Sequence, residues 1–431
     1  MKRIRRRTFM QTALAGMGAG VLVKPTLVSA SSQSENQYER VYANSDVRLK
    51  AMTMERIDTH CHYDLTMSEL KGEDDFINTP ELVGSSILAI GSRKLYGINP
   101  GLYLRPDSSE EIFSRAAGLR AKGAGAALET AMDVANISTQ LVFNYGAHPK
   151  HSKEAMLSSR VQLLNYVDNL IAGDVKAFSP DGRDMEFNYY DAICDRLGEL
   201  KTMSDYLNAL DADIDSWRDY RVVAMKVSLA YSIGLKFADP SLKEAQNAFA
   251  KKRDMSPEEI TIVQHYAFRH SLLACQRNDL PVVVHTGFQI WGHADLQVSN
   301  PIHLHNLLID KRYKDITWVL LHGGNPYVGE TTYLARMFPN VFIDFTWISW
   351  MTRVRFNMAL AEWIEIVPHG KFCWGSDSGT PETIVGIGEI TRERIANVLE
   401  DQIAHRIIDE KVALDFLEHT YVETPKRIFQ L

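Results

Sequence analysis

A parallel α/β fold is what this sequence predicts, and three observations carry the prediction. Short continuous apolar runs alternate with longer segments of helical pattern, and from residue 258 to the end that alternation is regular. The runs lack a polar face, as strands do when helices cover both sides of their sheet. The runs also end alike: His285 precedes Thr286-Gly287, His322 precedes Gly323-Gly324, and Asp377 lies between Ser376 and Ser378. A buried strand end has no use for such groups unless something binds them. In parallel barrels the active site is built at that end of the strands. The prediction is therefore an α/β chain forming a (β/α)8 TIM barrel with helical insertions, spanning residues 53–431.

The elements follow in order. Met54-Glu55-Arg56-Ile57 leads into Asp58-Thr59-His60-Cys61-His62, which makes 54–62 the first strand. Two histidines two apart on a strand project to the same side, so their imidazoles can converge on one ion. Taken alone, such a pair has equally good surface or core explanations. Residues 63–136 read as mostly helix, an insertion in which Thr79-Pro80-Glu81 opens one segment and Asp107-Ser108-Ser109-Glu110 caps another. Ile137–Phe143 is a strand candidate, and 154–216 reads as helical with an acidic, solvated face. Tyr220–Lys226 is a strand ending in lysine. The polar, lysine-rich stretch 236–256 is expected as a loop–helix excursion above the barrel mouth. Pro281–Gly287, Thr317–Gly324, Val341–Phe345 and Lys371–Asp377 complete the strands.

His60, His62, Lys226, His285, His322 and Asp377 together resemble the strand-end set of the amidohydrolase superfamily. His285-Thr286-Gly287, Leu321-His322-Gly323-Gly324 and the stretch Phe338–Phe345 resemble its amidohydrolase-2 branch more narrowly, including the amidohydrolase-like domain fused to some glutamine-synthetase-like proteins. Met225-Lys226-Val227-Ser228 with Ala230-Tyr231 and Gly234-Leu235 is similar to a lysine segment of that group. Arg93–Ile98 followed by Ser109–Phe113 resembles the inserted helices of uronate isomerases, a neighbouring branch. The resemblance covers roughly residues 54–431.

Neutral imidazoles and carboxylates suit a divalent ion, Zn2+ before others, with open positions left for water and substrate. The resemblance implies His60, His62 and Asp377 as core ligands and His285 as a further one. It also implies Asp377 as acceptor of the attacking water's proton, and His322 as the group that orients substrate or stabilises an oxyanion. Lys226 has three readings: a carboxylated lysine bridging two metals, a free ammonium binding a substrate carboxylate or phosphate, or a side chain snorkelling to solvent. The second is favoured because the amidohydrolase-2 branch is usually mononuclear. Trp291, Trp347 and Trp350 are candidates for an aromatic wall or for lid packing. His293 is a candidate for the mouth, and Asp344 for a buried carboxylate supporting the site. His148, His151, His265, His270, His369, His405 and His419 read as surface groups.

The length of 431 residues exceeds the roughly 250 of a simple barrel and leaves room for insertions rather than a second core. A net charge of −7 argues against a nucleic-acid partner, and no run of 18 apolar residues predicts a membrane span. Arg5-Arg6-Arg7-Thr8-Phe9-Met10 resembles a twin-arginine signal. A weakly apolar stretch, Thr12–Val23, and the small-residue site Val28-Ser29-Ala30 follow it. Residues 1–30 are therefore expected as a signal peptide and 31–52 as a polar linker. The expected location is the periplasm or the exterior, reached through the twin-arginine export machinery. A basic cytosolic tail would need neither the apolar stretch nor the small residues. Cys61, Cys194, Cys275 and Cys373 lack the spacing of a zinc knuckle or a disulfide framework, and Cys61 should point away from the ion. Homo-oligomerisation stays open.

Function is thus expected to be hydrolysis of a small carbonyl substrate (amide, lactone or ester), carboxylate-bearing if Lys226 is a free ammonium. Alternatives are a uronate-isomerase-like aldose–ketose isomerase, which typically lacks a histidine at the position of His322, and a decarboxylase using the same ligands. A metal-binding protein without catalysis is a third class, against which the complete ligand set argues.

Overall fold

A computed structural model describes residues 45–63, 82–102, 106–144, 148–173, 188–290 and 295–431. The expected signal peptide, the helix opening at Thr79-Pro80-Glu81, Trp291 and His293 lie outside the described residues. Asn44–Leu431 is a single compact unit.

Its centre is a parallel sheet of eight strands, each paired with the next in chain order. They are β1 (Arg56–Cys61), β2 (Ile137–Asn144), β3 (Val161–Tyr166), β4 (Val222–Val227), β5 (Val282–Val284), β6 (Trp318–Leu320), β7 (Val341–Asp344) and β8 (Phe372–Cys373). The seam between the last strand and the first is bridged just beyond β8, where Thr59 N–H donates to Trp374 O and Asp377 N–H to His60 O. A Cβ at Gly375 would stand 2.4 Å from the His60 Cβ, so only glycine lets the two chains approach this closely.

Side-chain alternation divides the core in two. Leu141 and Phe143, Leu164 and Tyr166, Val283, Val319, Leu321, Phe342 and Cys373 form one cluster, the filling of the barrel. Ile428 and Phe429 of the C-terminal helix join it. The intervening residues, among them Val142, Leu163, Met225, Val282, Val284, Leu320 and Ile343, belong to the larger core beneath the surrounding helices.

The stretch expected as polar linker ends in a helix, α1 (Asp46–Thr53), capped by Ser45 and burying Val47 and Ala51. Arg48 pairs with Glu400, which fixes a segment whose composition alone reads as linker. The insertion after β1 is helical as expected, with α2 (Leu82–Tyr96), α3 (Pro106–Arg120) and α4 (Ala124–Val134). The reading of 154–216 as helical is corrected by β3. Gln162 and Asn165 interrupt its apolar run, which hides a strand from any hydropathy pattern, yet Asn165 Oδ1 accepts in place from the Asn144 amide at 2.6 Å. Helices α5 (Tyr189–Leu197) and α6 (Met203–Asp215) follow. In the 236–256 stretch, α7 (Leu242–Phe249) packs on α6 and on α8 (Pro257–Arg277), with Phe249 stacked against Tyr206. Helices α9 (Val328–Met337), α10 (Arg353–Ile366), α11 (Pro381–Ala404), α12 (Glu410–Glu418) and α13 (Thr424–Phe429) complete the chain. Among the described residues no helix is long and apolar enough to cross a membrane.

Candidate metal centre at the barrel mouth

The ends of β1 and β8 bring three donor atoms together. His60 Nε2 lies 3.3 Å from His62 Nε2 and 3.3 Å from Asp377 Oδ1, and His62 Nε2 lies 2.9 Å from the same oxygen. Donors bound at about 2.0–2.2 Å to one ion stand about 2.9–3.6 Å apart in octahedral or tetrahedral geometry, so the spacing is that of an ion's ligands. His322 joins the group, because its ligand-capable nitrogen, that of His60 and a carboxylate oxygen of Asp377 all lie within 4.8 Å of one another. The donor set of imidazole and carboxylate fits a divalent ion. Among the described residues His60 Nδ1, His322 Nδ1 and Asp377 Oδ2 are buried here without a hydrogen-bond partner. The last two face each other at 3.9 Å.

The protonation states suit ligation, which needs neutral imidazole and ionised carboxylate. Burial pushes His60 down to about 3. Burial likewise holds His285 and His322 well below the usual imidazole value. Burial works to raise Asp377, but the His60 and His62 rings beside it hold its carboxyl well below the usual range.

His285, expected as a further ligand, has both ring nitrogens engaged. Nε2 donates to Phe288 O at 2.9 Å and Nδ1 meets His322 Nε2 at 3.0 Å. Trp347 stacks on His322 at 4.1 Å and stands edge-on to His285 and Phe288, so it joins the site wall. Trp350 instead packs against the outer core. Phe143 lines the other side, 4.6 Å from His60 and 4.3 Å from His62. Cys61 turns away as the pleat demands and donates to Ser378 O.

Lys226 is 1% exposed, its Nζ has no hydrogen-bond partner, and it sits 4.6 Å over the Phe143 ring. Burial lowers its ammonium to about 8, against the pull of Asp377, Asp168 and Asp344. Asp344 is the buried, hydrogen-bonded carboxylate expected of it, accepting from Thr59 Oγ1 at 2.7 Å and Thr346 N–H at 2.9 Å. Burial raises it to about 6.

Two buried carboxylates were not singled out in the sequence. Asp58 lies inside the first motif and accepts four hydrogen bonds. Asp168 holds the Ser228 N–H just past β4 with both oxygens, at 3.0 and 2.9 Å, and burial raises it to about 7. Its signal was a carboxylate two residues after a strand end, invisible while β3 was read as helix. Of the histidines read as surface groups, His151 and His405 are exposed. His265 is buried and accepts from Ala238 N–H.

Three of the nine described non-glycine residues with left-handed backbone lie at this site. His322, Trp347 and Asp377 have φ of 64°, 61° and 51°. Each left-handed non-glycine residue costs about 1–3 kcal/mol, and such costs persist where function requires the conformation.

A family model described as amidohydrolase matches residues 57–407. Over 155 residues the chain is 30% identical to Protein fluG of Emericella nidulans, a match covering 35% of this chain and 17% of that protein. The match therefore spans about a sixth of the length of that relative. Among solved structures, a uronate isomerase from Thermotoga maritima superposes with a TM-score of 0.68 at 13% identity, over 89% of this chain and 96% of that one. A protein from Lactobacillus casei assigned as a metal-dependent hydrolase superposes at 0.66 with 16% identity, over 90% and 98%. A glucuronate isomerase from Caulobacter crescentus gives 0.63 at 14%, over 91% and 94%. At these identities the likeness shows the eight-stranded barrel and nothing finer.

Proposed function

Because the chain belongs to the amidohydrolase family, we propose that it is a metal-dependent hydrolase acting on a small carbonyl compound, an amide, lactone or ester. The observation that carries this reading is the 2.9–3.3 Å spacing of His60, His62 and Asp377 at the mouth of the barrel. A divalent ion held there, Zn2+ by the character of the donors, supplies Lewis acidity and lowers the pKa of water to about 7.

The chain's own groups do the rest. Asp377 Oδ2 and His322 Nδ1 flank one space as two acceptors, so a water between them is oriented by both. Asp377 takes the proton of that water and returns it to the leaving group. His322 holds the carbonyl substrate in register, its ring fixed by His285 on one edge and Trp347 on one face. Lys226 binds a substrate carboxylate, which gives its ammonium the hydrogen-bond partner it lacks among the described residues. Trp347 and Phe143 exclude solvent from the reacting atoms.

A second reading, aldose–ketose isomerisation, is favoured by one feature, the helices α2 and α3 inserted after β1, which resemble those of uronate isomerases. Decarboxylation by the same ligands is a variant of the first. Purified protein carrying stoichiometric zinc and turning over a lactone, amide or ester panel supports the hydrolase. Interconversion of an aldouronate and a ketouronate with no hydrolysis would overturn it. Lys226→Met should raise KM for carboxylate-bearing substrates and leave their neutral analogues unchanged. Export rests on Arg6-Arg7-Thr8-Phe9 and Ala30. Replacing Arg6 and Arg7 with lysine should trap the precursor in the cytoplasm, and unchanged export would end that proposal.

A further inference from the structure

Asp58 is fully buried, and its carboxylate accepts hydrogen bonds from three chain segments. Oδ1 accepts from Ser376 N–H at 2.8 Å and from His60 N–H at 3.2 Å. Oδ2 accepts from Ser376 Oγ at 2.6 Å and Gln140 Nε2 at 2.8 Å. All four partners are donors, which occupies the lone pairs of one ionised carboxylate.

The placement of those donors is the point. The regular pairing of β1 with β2 breaks between Asp58 and Cys61, so His60 has no regular ladder on that side, and on the other its carbonyl accepts from Asp377 N–H at 2.7 Å. The His60 amide is held by the side chain two residues earlier. The same oxygen holds the amide of Ser376, the residue before Asp377. One atom therefore ties the backbone of the first histidine to the residue preceding the aspartate, across a seam where β8 is two residues long.

We propose that Asp58 is the positioning residue of the metal centre, setting the separation of His60 from Asp377 by fixing the two backbones that carry them. Hydrogen bonds to ionised groups are shorter and roughly twice as strong as neutral ones, so a carboxylate serves here where an amide would not. In Asp58→Asn the His60 and Ser376 amides meet a neutral oxygen in place of a carboxylate. The new amide donor requires Ser376 Oγ and the Gln140 amide to turn and accept it, so the shared anchor weakens while the barrel keeps its core.

This inference rests on the proposed ion site. It is tested by chelator competition for Zn2+ and by the visible spectrum of the Co2+-loaded full chain. Asp58→Asn should bind Zn2+ about 10–100-fold more weakly, the loss expected when a group supporting a metal ligand is removed. Its Co2+ spectrum should shift, reporting altered ligand geometry. Ser376→Ala, which deletes a single donor, should move both readouts in the same direction by a few fold. Arg392→Met, a buried change at the other end of the barrel, should lower Tm and leave affinity and spectrum as in the wild type.

Wild-type affinity and spectrum in folded Asp58→Asn would overturn the inference, as would an equal affinity loss in Arg392→Met at matched Tm. Should Asp58→Asn fail to accumulate, unchanged affinity in Ser376→Ala overturns it. A wild type that binds no divalent ion removes the proposed function and this inference together. A wild type that binds the ion but hydrolyses nothing removes only the former.

Discussion

The two ends of the barrel bury charge in opposite ways. At the base, Arg392 is 1% exposed and donates to the carbonyls of Ala51, Met54 and Ala135. Arg56 donates to Gly388 O and Ala135 O while lying 4.0 Å over the Trp374 ring, and Lys371 donates to Ala335 O and Phe338 O. Apart from Gly388 O, which lies within α11, those carbonyls belong to the last turns and caps of helices, so the cations complete backbone that the helices leave open. At the mouth, His322 Nδ1, Asp377 Oδ2 and Lys226 Nζ are as deeply buried but have no hydrogen-bond partner among the described residues. Apart from the Nε atoms of Arg56 and Arg392, the base spends these cations on holding the fold, while the mouth leaves these three polar atoms unspent beside carboxylates, Asp58, Asp168 and Asp344, that do hold the backbone. This is the division expected of barrels in which one face stabilises and the other reacts.

Four measurements break or sharpen that contrast. The largest effect is expected of Asp377→Asn, which should abolish turnover by more than about 10³-fold while leaving thermal unfolding close to wild type. A large loss of stability would mean that the mouth also carries the fold. His322→Asn should retain the ion and cost about 10²–10³ in kcat, the usual effect of removing one group that acts on the developing charge. Retention of full activity would move His322 into a purely supporting role.

Arg392→Met should show the reverse behaviour. Leaving the Ala51 and Met54 carbonyls short of a donor, while Ala135 O keeps Arg56, should cost about 2–4 kcal/mol of stability, read by denaturant unfolding. Activity per folded molecule should not change. If kcat fell with stability, the two ends would be coupled and the contrast would fail.

The smallest effect concerns the rim. Glu382 is buried, with Arg120 donating to both of its oxygens at 2.7 and 2.8 Å. Burial works to raise Glu382, and Arg120 outweighs it, so the carboxyl titrates below its ordinary value. A carboxyl depressed in the folded state contributes stability that is complete above its unfolded pKa of about 4.3 and is lost as pH falls through the lower folded value. Tm of the wild type should therefore drop on acidification below about pH 4, and Glu382→Gln should lower Tm at neutral pH and flatten that acid limb. An equal acid limb in the variant would place the sensitive group elsewhere.

Much of this was legible in the chain itself. The barrel could be read because strands of a parallel sheet are buried on both faces, which writes each as an unbroken apolar run such as Val282–Val284 or Trp318–Leu320. The candidate ligands could be read because His60, His62, His322 and Asp377 stand where such runs stop. Local pattern failed wherever a long-range contact outweighed composition. Asp46–Thr53 looks like linker until Glu400 receives Arg48, and Val161–Tyr166 looks interrupted until Asn144 donates to Asn165. Asp58 looks like one more strand residue until Ser376, 318 positions later, places both its donors on it. Periodicity and strand-end chemistry act between near neighbours, so the sequence by itself determined the barrel and the residue types at its mouth. Distances between ligand atoms, left-handed backbone at His322 and Asp377, and the saturation or vacancy of each buried polar atom depend on segments far apart in the chain. Only their packing into one closed sheet decided those.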